Sequence, residues 1–262
     1  MKKVYIASLL AFLLFLTSAV LSAEASVPDG DIRTLLEQIN ASSDVTGIDE
    51  IIAGLRNAEG LLYKSGSKGN GVREFQNVLL SIGYTSVSKA DGTYGSKTAS
   101  AVKEFQAANK LPVTGEADLI TQFFVVMRNS SFTRRGTAYI AQAENYAVVI
   151  WPSKAFYVGA LDKSGNLSEG TYYYFSGGYY AGWYRNNKRF GKGTAHFANG
   201  DVYSGEWNND AMNGYGTYYY GGIDSAKYYK GNMTNNMMNG KGTYYSGGSK
   251  ITGKWFNNRR VK

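Results

Sequence analysis

A glycine–aromatic pattern repeats along the C-terminal half of this 262-residue chain and constrains its fold more than any other feature. One glycine recurs at intervals of 22 to 26 residues, and tyrosine stands two residues before it in four of the five copies. These glycines are Gly159, Gly182, Gly205, Gly231 and Gly253. Because residues i and i+2 of a strand point to the same side, the side chains that flank each glycine are predicted to share one face.

Each of the first four copies also contains a second glycine that is followed by threonine, at Gly170, Gly193, Gly216 and Gly242. Asparagine pairs lie between the two glycines or close the last copy, at 186–187, 208–209, 235–236 and 257–258. Asparagine tolerates the positive φ that tight hairpin turns require. The copies are therefore predicted to be β-hairpins. Because a lone hairpin is marginal in water, we expect them to stack into an elongated, single-layer antiparallel meander.

These residues resemble the MORN (membrane occupation and recognition nexus) repeat, whose pattern is Y-x-G-x-W followed by a turn and G-x-G-T. Residues 203–217 meet it in full, whereas 180–194 carries Tyr and 229–243 carries Met at the Trp position. The copy at 157–171 departs more, with Leu161 and Ser168, and the copy at 251–262 stops before its second strand. The resemblance implies membrane or protein association. Residues 126–154 are interpreted as a connector with a degenerate copy near Gly136.

Helical spacing of apolar residues dominates the region before the repeats. Residues 26–60 are predicted to contain two short amphipathic helices, and residues 61–125 a compact domain of three short helices in which Ser96 is an N-cap. The fold class expected for the chain is α+β in separate domains, with the small helical domain preceding the repeat sheet at 155–262. The apolar positions of the two amphipathic helices are Ile32, Leu35, Leu36, Ile39, Ile48, Ile51, Ile52 and Leu55.

The helical region carries the run DGTYGSKTASAVKEFQAANKLPVTG at 91–115, preceded by VREFQNVLLSIGY at 72–84. Together they resemble the peptidoglycan-binding domain of bacterial wall hydrolases. The resemblance implies a three-helix fold and peptidoglycan as partner. Asp91 is either a turn-stabilising acceptor or a ligand contact. Tyr94, Thr98 and Gln106 are expected to be exposed near the turn and to contact sugar and peptide, because an aromatic ring beside amide and hydroxyl groups suits a glycan.

The N-terminus reads as a secretory signal peptide over residues 1–25. A Lys-Lys start precedes an almost wholly apolar stretch at 4–20, and Ala23-Glu24-Ala25 supplies small residues for cleavage. The alternative is an uncleaved anchor, because residues 4–23 are long enough to cross a bilayer. Either interpretation places the rest of the chain outside the cytosol, secreted and associated with the cell wall.

Positive charge is concentrated in the second half, where residues 126–262 hold 17 basic and 7 acidic side chains. For an exported protein this favours anionic wall polymers or lipid headgroups over nucleic acid, although general solubility explains it equally well. Strand alternation must also turn some tyrosines outward. The predicted repeat surface, which would bind glycan, a lipid headgroup or a protein, comprises Tyr173, Tyr219, Lys188, Arg189, Lys192 and Lys241.

The sequence offers little for catalysis. It has no cysteine and one histidine, so neither a Cys–His pair nor a His–His metal site can be built. His196 is interpreted as a surface or packing residue, and Asp201 and Asp210 as turn residues, which leaves little support for a glycosidase site with Glu206. No cofactor and no metal are expected.

The predicted function is that of a secreted, non-catalytic cell-envelope protein. The helical domain would bind peptidoglycan, and the repeats would present an interaction surface. The alternative is an accessory or regulatory subunit whose helical domain docks on a cell-wall-remodelling enzyme.

Overall fold

The computed structural model describes residues 33–34, 36–37, 47–57, 60–128, 130–152 and 154–261. The predicted signal segment lies outside these residues, as do Ile32, Leu35 and Ile39 of the first amphipathic helix. In the described part of the chain, no helix is both long enough and apolar enough to span a membrane.

Among the described residues of the N-terminal part there are four complete α-helices and one short 3₁₀ turn, and residues 33–34 and 36–37 are also helical. The helices are α1 (Ile48–Asn57), α2 (Asn70–Ser81), α3 (Ser96–Ala108) and α4 (Leu119–Met127), with the 3₁₀ turn at Thr85–Val87. The Asp118 side chain caps α4 by accepting a hydrogen bond from the Thr121 N–H. The prediction of Ser96 as an N-cap was wrong, because Gly95 takes that position and Ser96 is the first helical residue.

Thirteen strands follow in one antiparallel sheet whose spatial order is their order in the chain. This confirms the predicted meander after a helical region. The strands are β1 (Thr133–Arg135), β2 (Ala138–Ala143), β3 (Tyr146–Trp151), β4 (Ala155–Leu161), β5 (Leu167–Tyr174), β6 (Gly178–Arg185), β7 (Lys188–Phe197), β8 (Val202–Asn208), β9 (Ala211–Tyr219), β10 (Tyr228–Thr234), β11 (Met237–Ser246), β12 (Ser249–Phe256) and β13 (Arg259–Val261). Strands β1–β3 occupy the predicted connector, which is therefore part of the sheet.

Four buried tyrosines, one in each of the first four repeats, lie across the glycines of their own strand and the next. A Cβ added at Gly205 would come within 2.5 Å of the Tyr203 hydroxyl, and one at Gly216 within 2.6 Å of the ring. Each tyrosine hydroxyl donates to the backbone carbonyl three residues later. The pairs are Tyr157–Ala160 (2.7 Å), Tyr180–Trp183 (3.1 Å), Tyr203–Glu206 (3.1 Å) and Tyr229–Asn232 (3.0 Å). The recurrent glycines thus make room for the aromatic ring.

The turns connect each repeat to the preceding one. The second turn residue has a positive φ, and its side chain accepts a backbone N–H from the start of the second strand of the preceding repeat. These bonds join Asn187 to Leu167, Asp210 to Arg189, Asn236 to Met212 and Asn258 to Met238, at 2.7–2.8 Å. In one repeat the turn lies one residue later than predicted, at Asn209 and Asp210 instead of 208–209.

The two faces of the sheet pack differently. We call the face that carries the four buried tyrosines the ladder face and the opposite one the domain face. The helices α2 and α4 cover the domain face over strands β2–β5, where Phe156, Val158 and Ala160 are buried. Helix α1 covers the same face, since Gly54 lies against the Phe156 and Tyr173 rings. The helices and this part of the sheet therefore share one hydrophobic core.

Candidate functional site

Two buried glutamines hold two loops of the helical domain. The Gln76 side chain accepts a hydrogen bond from the Gly92 N–H (2.8 Å) and donates to the Thr98 hydroxyl (2.9 Å). Gln106 accepts from the Gly115 N–H (2.8 Å) and donates to the Thr121 hydroxyl (3.2 Å). The motif residues of this region thus fix the loops that contain Gly92 and Gly115, because a buried amide must satisfy its hydrogen bonds.

Tyr94 joins the same two loops. Its side chain is buried, and its hydroxyl donates to the Gly115 carbonyl at 2.8 Å. Burial raises the pKa of Tyr94 well above its ordinary value. The expectation that Tyr94, Thr98 and Gln106 are exposed was therefore wrong, because all three side chains are consumed by contacts inside the domain.

Asp91 lies on the surface of the first loop. Its carboxylate accepts the Thr93 N–H at 2.9 Å, and this hydrogen bond is the main cause of an Asp91 pKa below the usual range. The turn-stabilising role considered for Asp91 is thus present in the structure. Since the side chain is also exposed, its role as a ligand contact stays a prediction.

Polar contacts fix the helical domain to the sheet. The Glu169 carboxylate accepts the Gly71 N–H (2.7 Å) at the start of α2, and the Thr171 hydroxyl accepts the Leu61 N–H (2.8 Å). Burial raises the pKa of Glu169, although the Gly71 hydrogen bond favours the charged form. The helical domain is therefore held in one position on strand β5.

The predicted repeat surface does not form one exposed stripe. Tyr173 stacks on Phe156 at 5.4 Å under α1, and Tyr219 is half-buried and stacks on Tyr228. Arg189 is held by Asp210 (3.2 Å) and lies 4.3 Å from the Trp207 ring. The remaining predicted residues are exposed, with Lys188 at a hairpin turn and Lys192 and Lys241 on strands β7 and β11.

A groove of about 520 Å³ crosses the domain face over strands β5–β9, at the place where the helical domain ends. The floor is made by small and hydroxyl-bearing residues, including Thr194, Ser204 and Thr217. Trp183 and Tyr215, with 37% and 51% of their surfaces exposed, stand at its sides. Neither aromatic was predicted from the sequence, because the repeat pattern is defined by the residues that the copies share and not by those in which they differ.

Glu206 is fixed within this groove. Its carboxylate accepts the Tyr215 N–H at 2.9 Å, and it lies where a side chain on Gly214 would otherwise be. Gly214 has φ +112°, a conformation that favours glycine. The oppositely charged Lys192 is the cross-strand neighbour of Glu206. The groove therefore contains a preorganised carboxylate beside a balancing cation.

The carboxylates considered for catalysis are separated. Asp201 and Asp210 flank opposite ends of β8, and Tyr218 donates to Asp201 at 2.7 Å. Glu169 and Glu206 share the groove, but they lie on strands that are three spacings apart, about 14 Å between their backbones. His196 stacks on Tyr179 at 4.3 Å. Over the described ranges, no group of three or more His, Asp or Glu side chains could hold a metal ion.

Fold and site together define a class of protein in which a small helical binding domain is docked on a repeat sheet. Comparison with family models makes this specific. Residues 68–122 match the peptidoglycan binding domain family, and residues 180–202, 203–222 and 229–250 match the MORN repeat. Both resemblances predicted from the sequence are confirmed. No curated protein matches the chain.

Proposed function

We propose that this chain is an exported, non-catalytic protein of the cell envelope that binds peptidoglycan through its helical domain. The observation that carries the proposal is the peptidoglycan-binding match at 68–122, which coincides with a complete set of loop-holding contacts. Both matched families are binding modules, which supports a non-catalytic role.

The contact surface proposed for peptidoglycan is the pair of loops that Tyr94 joins. Asp91, Thr93, Val113 and Thr114 are exposed on these loops. Asp91 supplies a hydrogen-bond acceptor, and Val113 offers an apolar contact for the C–H faces of a sugar ring. In this proposal Gln106, Thr98 and Tyr94 are positioning residues that keep the two loops together.

The repeat sheet would present a second interaction surface, and its C-terminal end suits an anionic wall polymer. Residues 225–262 contain eight basic side chains and no acidic one. Lys230, Lys241 and Lys254 occupy the strands of this end, and Arg259 and Arg260 lie on the edge strand β13. Such a concentration of one sign attracts polyanions, more strongly at low ionic strength.

The test is binding of the purified chain to sacculi stripped of protein. Deleting residues 61–125 would expose the apolar side chains under α2 and α4, so point variants are preferable. Asp91→Ala is expected to weaken binding at least several-fold. Glu104→Ala is the matched control, because Glu104 is also an exposed carboxylate but contacts Ser86 instead of the loops.

The possible results separate the two functions considered. Sacculus binding by the wild-type chain alone supports the proposal, and binding that requires an added cell-wall-remodelling enzyme supports the accessory-subunit alternative. Release of muropeptides by the purified chain would contradict a non-catalytic role. Sequencing the exported chain from its N-terminus tests the signal peptide, since cleavage predicts a start close to residue 26.

A further inference from the structure

Two positions beside the recurrent glycines differ from copy to copy. One follows the first glycine and reads Ala160, Trp183, Glu206, Asn232 and Lys254 in successive copies. The other precedes the second glycine and reads Glu169, Lys192, Tyr215 and Lys241. Five of these residues line the groove on the domain face, namely Glu169, Trp183, Lys192, Glu206 and Tyr215. We propose that this groove is a binding site for an extended, uncharged glycan.

The floor of the groove supplies hydrogen-bonding groups suited to sugar hydroxyls. The repeat threonine contacts the helical domain in the first copy, where the Thr171 hydroxyl accepts the Leu61 N–H and is buried. In the next two copies the same position, Thr194 and Thr217, lies beyond the helical domain in the groove. Thr194 donates to Ser204 at 3.0 Å. These hydroxyls both donate and accept, as a sugar requires of its partner.

The sides of the groove supply the aromatic surfaces on which the C–H face of a sugar ring can lie. Trp183 and Tyr215 keep 37% and 51% of their surface exposed, whereas the ladder tyrosines are fully buried. They occupy β6 and β9, so three strand spacings, about 14 Å, separate them. That separation fits an oligomer that spans several strands and exceeds the reach of a single sugar.

The charges of the groove favour a neutral ligand. The charged side chains that line the groove are Lys192, Glu206 and Glu169, which disfavour an anionic ligand. Lys192 and Glu206 are cross-strand neighbours, so their charges balance, and the two carboxylates are held by the Tyr215 and Gly71 N–H groups. Residues 167–219, which span the groove strands, hold four basic and four acidic side chains, and most of the basic excess lies after Asp224. The C-terminal end of the sheet is therefore the surface that is complementary to a polyanion. The groove instead suits a ligand rich in hydroxyl and amide groups.

The position of the groove also indicates where such a glycan would come from. It begins at Leu61 and Glu169, where the helical domain meets the sheet, so a strand held by the helical domain can continue onto the domain face. Naming the ligand as the glycan strand of peptidoglycan rests on the proposed function. The carbohydrate chemistry of the groove does not depend on it.

The experiment is calorimetric titration of the purified chain with two uncharged probes, a hexamer of β-1,4-linked N-acetylglucosamine and peptide-free glycan strands from peptidoglycan whose lactyl carboxyl groups have been converted to amides. Trp183→Ala and Tyr215→Ala are each expected to weaken binding about tenfold or more, because each removes a stacking surface. Trp183→Phe should recover most of the affinity. Phe256→Ala is the matched control, since Phe256 is an exposed aromatic outside the groove.

The outcomes distinguish this inference from the proposed function. Binding of either probe that falls with the Trp183 and Tyr215 variants, but not with Phe256→Ala, supports the groove. A wild-type chain that binds neither probe, or variants that bind both probes as tightly as wild type, overturns it. If sacculi are still bound in that case, the proposed function stands without the groove. Circular dichroism of each variant verifies that the sheet is intact.

Discussion

One part of the sheet is covered by helices and another part is open, although the same repeat builds strands in both. In strands β2–β5 the domain face carries Phe156, Val158 and Ala160, and helices bury it. From β7 onward the row of Val158 continues with hydroxyl side chains such as Thr194 and Ser204, and none of the described helices lies over these strands. The ladder tyrosines are buried in both parts. The ladder face is therefore enough to hold the repeats together, and the residues on the domain face can differ from repeat to repeat.

The difference arises from where apolar area is buried. In the covered part both faces lose apolar surface to a core, so burial stabilises the strands from two sides. In the open part only the ladder face does so, with aromatic rings such as Trp207 against Tyr203 at 5.2 Å. Variants at equivalent strand positions in the two parts measure this difference in stabilisation.

The largest effect is expected from the row that begins at Phe156. Phe156→Ala should lower the free energy of unfolding by about 3–5 kcal/mol, because it leaves a cavity between helices and sheet. Tyr219→Ala, in the same row of the open part, should cost only about 1 kcal/mol, the scale of a cross-strand aromatic pair. Urea unfolding checks both. Equal losses would contradict the idea that the helices make the difference.

A smaller effect is expected from the ladder glycines, and it should be the same in both parts. Gly170→Ala and Gly242→Ala each place a methyl group against a tyrosine ring, Tyr157 and Tyr229 respectively. Overpacking of this kind costs about 1–3 kcal/mol. The control is Gly95→Ala, where no neighbouring atom lies within 4 Å of the added Cβ. If thermal unfolding gave widely different losses of stability for the two variants, the packing of tyrosine on glycine would differ between the covered and the open part.

The hairpin turns should give an effect of about 1–2 kcal/mol. Asn236→Ala removes the acceptor for the Met212 N–H and places alanine at φ +66°, which it tolerates poorly. Asn236→Asp should be milder, because Asp210 makes the same bond to Arg189 in the preceding repeat. The two variants are compared by urea unfolding. A more damaging aspartate would indicate that the amide group of Asn236 is needed.

The ladder was predictable from the sequence because its cause is local. A tyrosine two residues before a glycine shares a strand face with it, and the asparagines mark turns that need positive φ. The helices were likewise indicated by spacing, and α1 has Ile51, Ile52 and Leu55 buried as its stripe requires.

The groove and the docking of the helices were not predictable in this way. Thr171 and Thr194 occupy the same repeat position, yet one meets Leu61 and the other lines the groove, a difference that depends on distant residues. The exposure of Tyr94 and Gln106 was misjudged for a related reason. A polar side chain near a turn looks like a surface group in sequence, although here the loops fold over both side chains and use their hydrogen bonds.

The smallest expected effect concerns pH at the junction between the two parts. Burial raises the pKa of Glu169 in the folded chain, so its contribution to stability is full below the ordinary carboxyl pKa and is lost as pH rises through the folded value. Glu169→Gln cannot ionise and keeps an oxygen to accept the Gly71 N–H. The variant should therefore gain stability over wild type at pH 7, and this gain should shrink as pH falls to about 4.

Asp91→Asn is a control for that pH series, because its difference in stability from wild type should have the opposite sign. Because hydrogen bonds, first that from the Thr93 N–H, hold the pKa of Asp91 below its usual range, wild type loses the benefit of that carboxylate as pH falls. At pH 7 the asparagine variant should therefore be less stable than wild type, and this difference should shrink as the pH falls. Urea midpoints at pH 4, 5, 6 and 7 measure both differences. Parallel curves for Glu169→Gln and wild type would mean that Glu169 is solvated and that the junction opens to water.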